Sequence, residues 1–180
     1  MANPLLRRGR AHVFGDGVSL DDAIIPARFA AQRITDPSSL LPHLFENIDP
    51  GFAARVQPGD VILAGRDFAC GKPRLQGLIA LAALNLSVVC VSVPFKILRR
   101  AVARAIPVSV GASEPLASTG DEVEINFATG AMRNHTTGRA LEIPAMPPIL
   151  AEIVAAGGAE AALRDWLARH PEQAAAGPQN

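Results

Sequence analysis

Along the middle of the chain, continuous apolar runs of strand length alternate with stretches of helical period. Val61-Ile62-Leu63-Ala64, Ser87 to Val93 and Ile106 to Val110 are apolar at almost every position, so they read as strands covered on both faces. Between the first two, Leu75, Leu78, Ile79, Ala82 and Ala83 line one face of a helix that Pro73 opens. Between the second and third, Pro94 opens another helix to about Ala105. Strand, helix, strand, helix, strand predicts an α/β arrangement with parallel pairing.

The pattern changes on either side of this core. Ala11 to Phe14 reads as a short strand entering a Gly15-Asp16-Gly17 turn, with residues 1–10 expected to be a flexible segment. Residues 27 to 37 follow neither period. Ser38 to Phe45 predicts a short helix behind a Ser cap, with Leu40, Leu41, Leu44 and Phe45 on one face. After Gly111, Glu122 to Phe127 alternates polar and apolar residues. Thr129-Gly130 and Gly138 then punctuate Met132 to Thr137 and Ala140 to Ile143, giving an antiparallel meander with one wet face. Pro147-Pro148 starts a helix to about Ala156, Gly157-Gly158 stops it, and Ala159 to His170 forms a last helix. The domain is expected over residues 11–170, with a disordered tail at 171–180.

Composition narrows the class. The chain has 180 residues, 49% of them hydrophobic, which suffices for one core. Only 4% are aromatic while 32 are Ala, so an aliphatic core is expected. Seventeen basic residues balance 17 acidic ones, and there is no sustained Lys/Arg block beyond the short Arg7-Arg8-Gly9-Arg10 start, which argues against nucleic acid as a partner. No apolar run approaches the roughly 20 residues of a membrane span, and no signal-peptide core is visible, so a cytoplasmic protein is expected. Two cysteines, Cys70 and Cys90, are too few for a disulfide scaffold or the usual iron–sulfur ligand sets.

Few residue groupings suggest chemistry. Gly65 and Gly71-Lys72 miss the phosphate-loop spacing by one residue, and Pro73 stands where that motif has Ser or Thr. A glycine turn feeding a helix start, flanked by Lys72 and Arg74, is either an anion site or an ordinary strand-to-helix connection. Asp21-Asp22 reads as helix capping rather than as a carboxylate pair. His12, His43, His135 and His170 lie far apart, without metal-ligand spacing, and are read as surface or packing residues.

Taken in order, a set of blocks resembles one known family. They are Gly15 through Phe29, His43-Leu-Phe-Glu46, Asp49-Pro50, Pro58 through Gly65, Asp67-Phe-Ala-Cys-Gly71 with Arg74, and Ile97 to Arg100. Gly120-Asp-Glu-Val-Glu-Ile, Asn134-His-Thr-Thr-Gly138 and Glu152 through Gly158 continue the series. Over roughly residues 11 to 167 the pattern is similar to the small subunit of 3-isopropylmalate dehydratase, in the aconitase superfamily.

The resemblance implies a swivelling β/β/α domain with a mixed sheet. It implies no cofactor on this chain, a [4Fe–4S] cluster on a separate large catalytic subunit, and closure of the two subunits into one active site. The implied reaction is dehydration and rehydration of a small hydroxy-dicarboxylic acid. The family loop Gly-Ser-Ser-Arg-Glu stands here as Gly71-Lys72-Pro73-Arg74-Leu75. Gly71 and Arg74 match, so carboxylate binding carries to Arg74, whose planar fork suits bidentate contact. Lys72, in place of the catalytic Ser, is a replacement base, a fixed cation, or the mark of a subunit that has lost the chemistry and acts as a noncatalytic anion-binding or structural partner. The family's substrate-selecting loop stands here as Arg28-Phe29-Ala30, with Arg33 in a segment about two residues longer. Arg28, Phe29 and Arg33 are therefore candidate substrate contacts, and Arg33 either reads a second carboxylate or is simply solvated.

Overall fold

The computed structural model describes residues 3–112 and 116–172. Its strands are β1 (Leu6–Val13), β2 (Val61–Ala64), β3 (Ser87–Cys90), β4 (Val108–Val110), β5 (Glu122–Asn126), β6 (Ala131–Asn134) and β7 (Ala140–Glu142). They form one seven-stranded sheet in the order β4-β3-β2-β1-β5-β6-β7. β1 to β4 pair in parallel, and β5 to β7 continue antiparallel from the other edge of β1. The α/β class, the parallel core and the antiparallel meander expected from the sequence are all present.

The uniform apolarity of the parallel strands has a direct cause. Ile62 of β2 enters one hydrophobic cluster while Val61 and Leu63 enter another, and β3 divides Val88 and Cys90 from Val89 in the same way. Each strand thus feeds two cores on opposite faces, as its two-residue period requires. The first core lies under α4 (Gln76–Ala83) and contains Leu20, Ile24, Phe45, Phe52, Leu78 and Leu81. The second joins the antiparallel half through Val123, Ile125, Phe127 and Met132. Aliphatic residues fill most of both, although Phe45, Phe52 and Phe127 are among the largest fully buried side chains. Phe45 meets Phe14 and Phe52 at centroid separations of 4.4 and 4.6 Å, so a few aromatics are concentrated in one place.

Several boundaries differ from the sequence reading. β1 begins at Leu6, not Ala11. The expected flexible segment 1–10 is in strand from Leu6, where Leu6 to Arg10 pair with Asn126 to Glu122. Three arginines at strand positions hid it: Arg8 and Arg10 are exposed, Arg7 is half-buried with its Nε enclosed, and all three lend their backbone to the ladder. Gly9 permits the approach, since a Cβ there would lie 2.6 Å from the Gly59 carbonyl oxygen. The helix expected over Ser38 to Phe45 is instead a single turn, α2 (Pro37–Leu40), and a 3₁₀ turn at Leu41–His43. Its cap is Asp36, whose carboxylate accepts from the Ser38 and Ser39 amides. β3 ends at Cys90, the following helix α5 is Phe95–Val102, and the last two helices are α6 (Pro148–Ala155) and α7 (Ala159–Arg169). Two short helices complete the set, α1 (Ala27–Ala31) and α3 (Phe52–Arg55). Residues 173–180 of the expected tail lie outside the described residues.

Candidate functional site

The loop from Gly65 to Leu75 joins β2 to α4, and the chain on both sides fixes its course. Asp16 Oδ1 accepts from the Arg66 amide at 2.6 Å, and the Gly17 amide donates to the Arg66 carbonyl at 2.8 Å. Farther along, Phe68 is buried, and its amide donates to the Ser92 carbonyl at 2.9 Å. The Ala69 amide donates to the Val18 carbonyl and the Leu20 amide to the Cys70 carbonyl, which ties the loop to the segment after the Gly15-Asp16-Gly17 turn. Asp67, Ala69 and Gly71 all have positive φ, so the loop winds tightly.

Gly71 is required by a close approach as well as by its φ of 82°. A Cβ there would lie 2.5 Å from Asp21 Oδ1. The same oxygen accepts from the Lys72 amide at 3.3 Å. Asp21 belongs to a π-helical turn, Leu20–Ile24, whose cap is Ser19: its hydroxyl accepts from the Ala23 amide at 3.0 Å. Capping therefore falls to Ser19 and not to the aspartates. Asp21 faces the loop, and Asp22 instead accepts from Asn47 Nδ2.

Lys72 is exposed and Arg74 half-buried. Arg74 Nε is buried without a hydrogen-bond partner, an unsatisfied donor on a charged group. The Pro73 carbonyl accepts from Arg100 Nη1 at 2.6 Å. The expected helix start at Pro73 is displaced: α4 begins at Gln76, behind Leu75, because residues 71–75 are drawn aside by Asp21 and Arg100. Gln76, Gly77 and Leu78, in the first turn of α4, are buried. The cations of the loop, and not free helix amides, are what this place offers an anion.

The proposed substrate-selecting loop meets the same region. Gln76 Nε2 donates to the Ile34 carbonyl at 3.1 Å, which holds the residue after Arg33 against the start of α4. Arg33 is exposed, with φ 55°, and forms no ion pair among the described residues. Arg28 is engaged: its Nη2 donates to Glu46 Oε1, and its guanidinium carbon lies 4.8 Å from the Phe29 ring centroid. Phe29 is buried in the first core beside His43. Burial pushes the Glu46 carboxyl up, but hydrogen bonds from His43 and Arg28 outweigh it and hold it below the usual range. The structure thus places Gly71, Lys72 and Arg74 on the loop leading into Gln76, which holds Ile34, while Arg28 and Phe29 are packed into a local cluster.

One polar group escaped the sequence reading. His12 is buried at 3% exposure, with Nε2 2.8 Å from Asp60 Oδ2, and Asp60 is equally buried. Asp60 also accepts from the Arg10 and Gln57 amides, each at 2.9 Å. Its place at the end of Pro58-Gly59-Asp60 was the available signal, since turn aspartates commonly accept nearby amides.

The described residues do not suit an iron–sulfur cluster. No three His, Cys, Asp or Glu side chains gather at metal-binding distance among them. Cys70 and Cys90 are separate free thiols, and burial pushes Cys90 up to about 12, against the thiolate that a metal requires. Among the described residues no helix is long and apolar enough to cross a membrane.

No family model matches the chain. Individual relatives do. It is 37% identical over 157 residues to a 3-isopropylmalate dehydratase small subunit of Moorella thermoacetica, covering 86% of this chain and 92% of the relative. It is 36% identical over 154 residues to an isopropylmalate/citramalate isomerase small subunit of Methanocaldococcus jannaschii, covering 84% and 89%. Among solved structures, a 3-isopropylmalate dehydratase of Methanocaldococcus jannaschii superposes with a TM-score of 0.83 at 32% identity, over 93% of this chain and 99% of that one. With identity at this level along nearly the whole length of its relatives, and with a shared fold, the chain belongs to the 3-isopropylmalate dehydratase small-subunit family.

Proposed function

We propose that the chain is the small subunit of a two-subunit hydro-lyase that isomerises a small hydroxy-dicarboxylic acid in the cytoplasm by removing and re-adding water. The observation that carries this reading is the Gly71–Leu75 loop, where Arg74 presents an unpartnered buried Nε beside exposed Lys72, in a chain of this family. A dicarboxylate supplies the acceptors that such a pair lacks.

In this reading Arg74 clamps one substrate carboxylate and Lys72 occupies the position of the family's catalytic Ser, its amine within the reacting region. Dehydration removes a proton from one carbon and hydroxide from its neighbour, leaving an unsaturated diacid, and rehydration reverses the placement. A [4Fe–4S] cluster on the large subunit would supply Lewis acidity toward the departing hydroxyl. The part of this chain is to bind, orient and exclude water. Gly71 allows the backbone to approach closely, and exposed Arg33, next to the Ile34 that Gln76 holds against the start of α4, bounds the side-chain end of the substrate, while Phe29 and the Arg28–Glu46 pair support that segment from beneath. One relative is named for both isopropylmalate and citramalate, so substituted malates of different side-chain size are the substrates to test.

The test is reconstitution with the large subunit, with the ultraviolet absorbance of the unsaturated acid followed across a panel of substituted malates. Arg74→Lys keeps the charge but loses the fork. Loss of a charge-assisted hydrogen bond of about 1.5–3 kcal/mol should lower kcat/KM by roughly 10- to 100-fold. Lys72→Ala should lower kcat. Unchanged turnover in Lys72→Ala removes Lys72 from the chemistry, and an inert wild-type complex shows instead a noncatalytic subunit.

A further inference from the structure

The solvent side of α5 and the turn after it gather positive charge that pairs with no described carboxylate. Lys96, Arg99, Arg100 and Arg104 line one surface groove, and none of them forms an ion pair with a described residue. Helical spacing groups Lys96, Arg99 and Arg100, three and four residues apart on α5, and Arg104 joins them from the turn after the helix, its Nη1 donating to the Arg100 carbonyl at 3.3 Å, while Ile97, Ala101 and Val102 turn inward. Like charges so spaced repel, by a few tenths of a kcal/mol per pair on an isolated helix. The chain as a whole is neutral, with 17 basic and 17 acidic residues, so this concentration is local.

Two further observations bear on what covers it. Phe95, at the first position of α5, is 70% exposed, with the Arg99 guanidinium carbon 5.8 Å from its ring centroid. An exposed aromatic flanked by arginines has the composition of an interface centre. Arg100 also donates to the Pro73 carbonyl at 2.6 Å, so the charged face adjoins the loop that carries Lys72 and Arg74.

We infer that this face docks the large subunit, through an acidic surface on that partner that seats around Phe95. The inference rests on the hydro-lyase reading above. A partner that closes the site over Arg74 must lie against Pro73, and therefore against Arg100. A standard interface covers about 800 Å² on each partner, roughly 30 Å across. The eight residues of α5 span only about 12 Å at 1.5 Å per residue, so a footprint that includes Pro73 takes in the helix. Closure then pairs the cations with carboxylates and covers the ring.

The test measures association apart from turnover, using the full chain and the purified large subunit. Lys96→Glu with Arg104→Glu should weaken subunit affinity by roughly tenfold or more and flatten its salt dependence, because opposite charge across an interface both attracts and steers. Turnover at saturating large subunit should be unchanged, and Lys96→Arg with Arg104→Lys should restore affinity. Phe95→Ala, at an exposed position that leaves the fold intact, should also weaken association. Wild-type affinity in both the charge-reversed and the Phe95→Ala proteins overturns the inference, as does failure of the wild-type subunits to associate. A wild-type chain that binds duplex DNA, with loss of that binding alone on charge reversal, also overturns it and assigns the face to nucleic acid. Association that depends on α5 without formation of an unsaturated acid refutes the hydro-lyase reading while leaving the docking surface in place.

Discussion

Replacing Asp60 by Ala should be among the more damaging single changes in this protein, although it lies outside the loop that carries the chemistry. Asp60 is 3% exposed and accepts three hydrogen bonds, from the Arg10 amide, the Gln57 amide and His12 Nε2. Removing the carboxylate leaves three donors without that acceptor, and His12 Nδ1 already has no partner. Each orphaned buried donor costs about 1–3 kcal/mol. The three share one acceptor group, so their costs do not add in full, and a total of about 3–5 kcal/mol is expected. That is a large part of a typical stability of about 5–15 kcal/mol. Urea unfolding at neutral pH should show the loss directly, and thermal melts should show Tm lowered by roughly 6–20 °C for a chain of this size. Asp60→Asn retains one carbonyl acceptor and should fall between wild type and Asp60→Ala. A loss below about 1 kcal/mol in Asp60→Ala would refute the assignment of Asp60 as the joint between β1 and the turn before β2.

The remaining expectations concern the loop and the titrating groups. Gly71→Ala must adopt φ near 82° and displace Asp21, so it should lower stability by about 1–2 kcal/mol and reduce kcat/KM beyond what the stability change explains, as thermal melts and steady-state kinetics would show. Cys90 ionises at its ordinary value of 9.0 when unfolded and at about 12 when folded, so its neutral form is favoured by folding. Stability is then intact below pH 9.0 and falls as pH rises toward 12, by roughly 1.4 kcal/mol per pH unit, a slope that Cys90→Ala should remove from the difference between the two proteins' urea midpoints. Glu46 has the opposite sign. Its carboxyl is held below the ordinary 4.5, so its contribution is present above that pH and lost as pH falls through the folded value, and Glu46→Gln should flatten the acid limb of the same curve.

Particular residues show which parts of the fold were legible in the sequence. β2 was delimited correctly, because Val61 to Ala64 are apolar throughout and bounded by a turn and a glycine. The meander was legible because Glu122 to Asn126 alternates strictly, with Val123 and Ile125 buried. The beginning of β1 was not, since its partner lies far along the chain and its arginines mask the period. Helix α4 starts three residues after Pro73 because two distant side chains, Asp21 and Arg100, redirect the loop. Local preference cannot anticipate tertiary contacts of that kind. At the candidate site, the order of motifs points to Gly71 and Arg74 as candidates, but it does not point to Gln76. It carries no motif, and its role is visible only once Ile34 is seen to lie against it.

β1 joins two halves of the sheet that become available at different times. Its C-terminal residues, Ala11 to Val13, pair with β2, but Leu6 to Arg10 wait for β5. The Arg8–Glu122 contact across that second pairing spans 114 residues of chain. During synthesis the parallel half can assemble as soon as β2 to β4 emerge, while the first strand's leading edge stays unpaired until two-thirds of the chain has been made. Closure of so long a loop is slow relative to local folding. Gln57 and the buried His12–Asp60 contact can already anchor the later part of β1, leaving Leu6 to Arg10 as an edge that three arginines keep from pairing with another chain. The charges that concealed this strand from the sequence reading thus protect it while it waits for its partner.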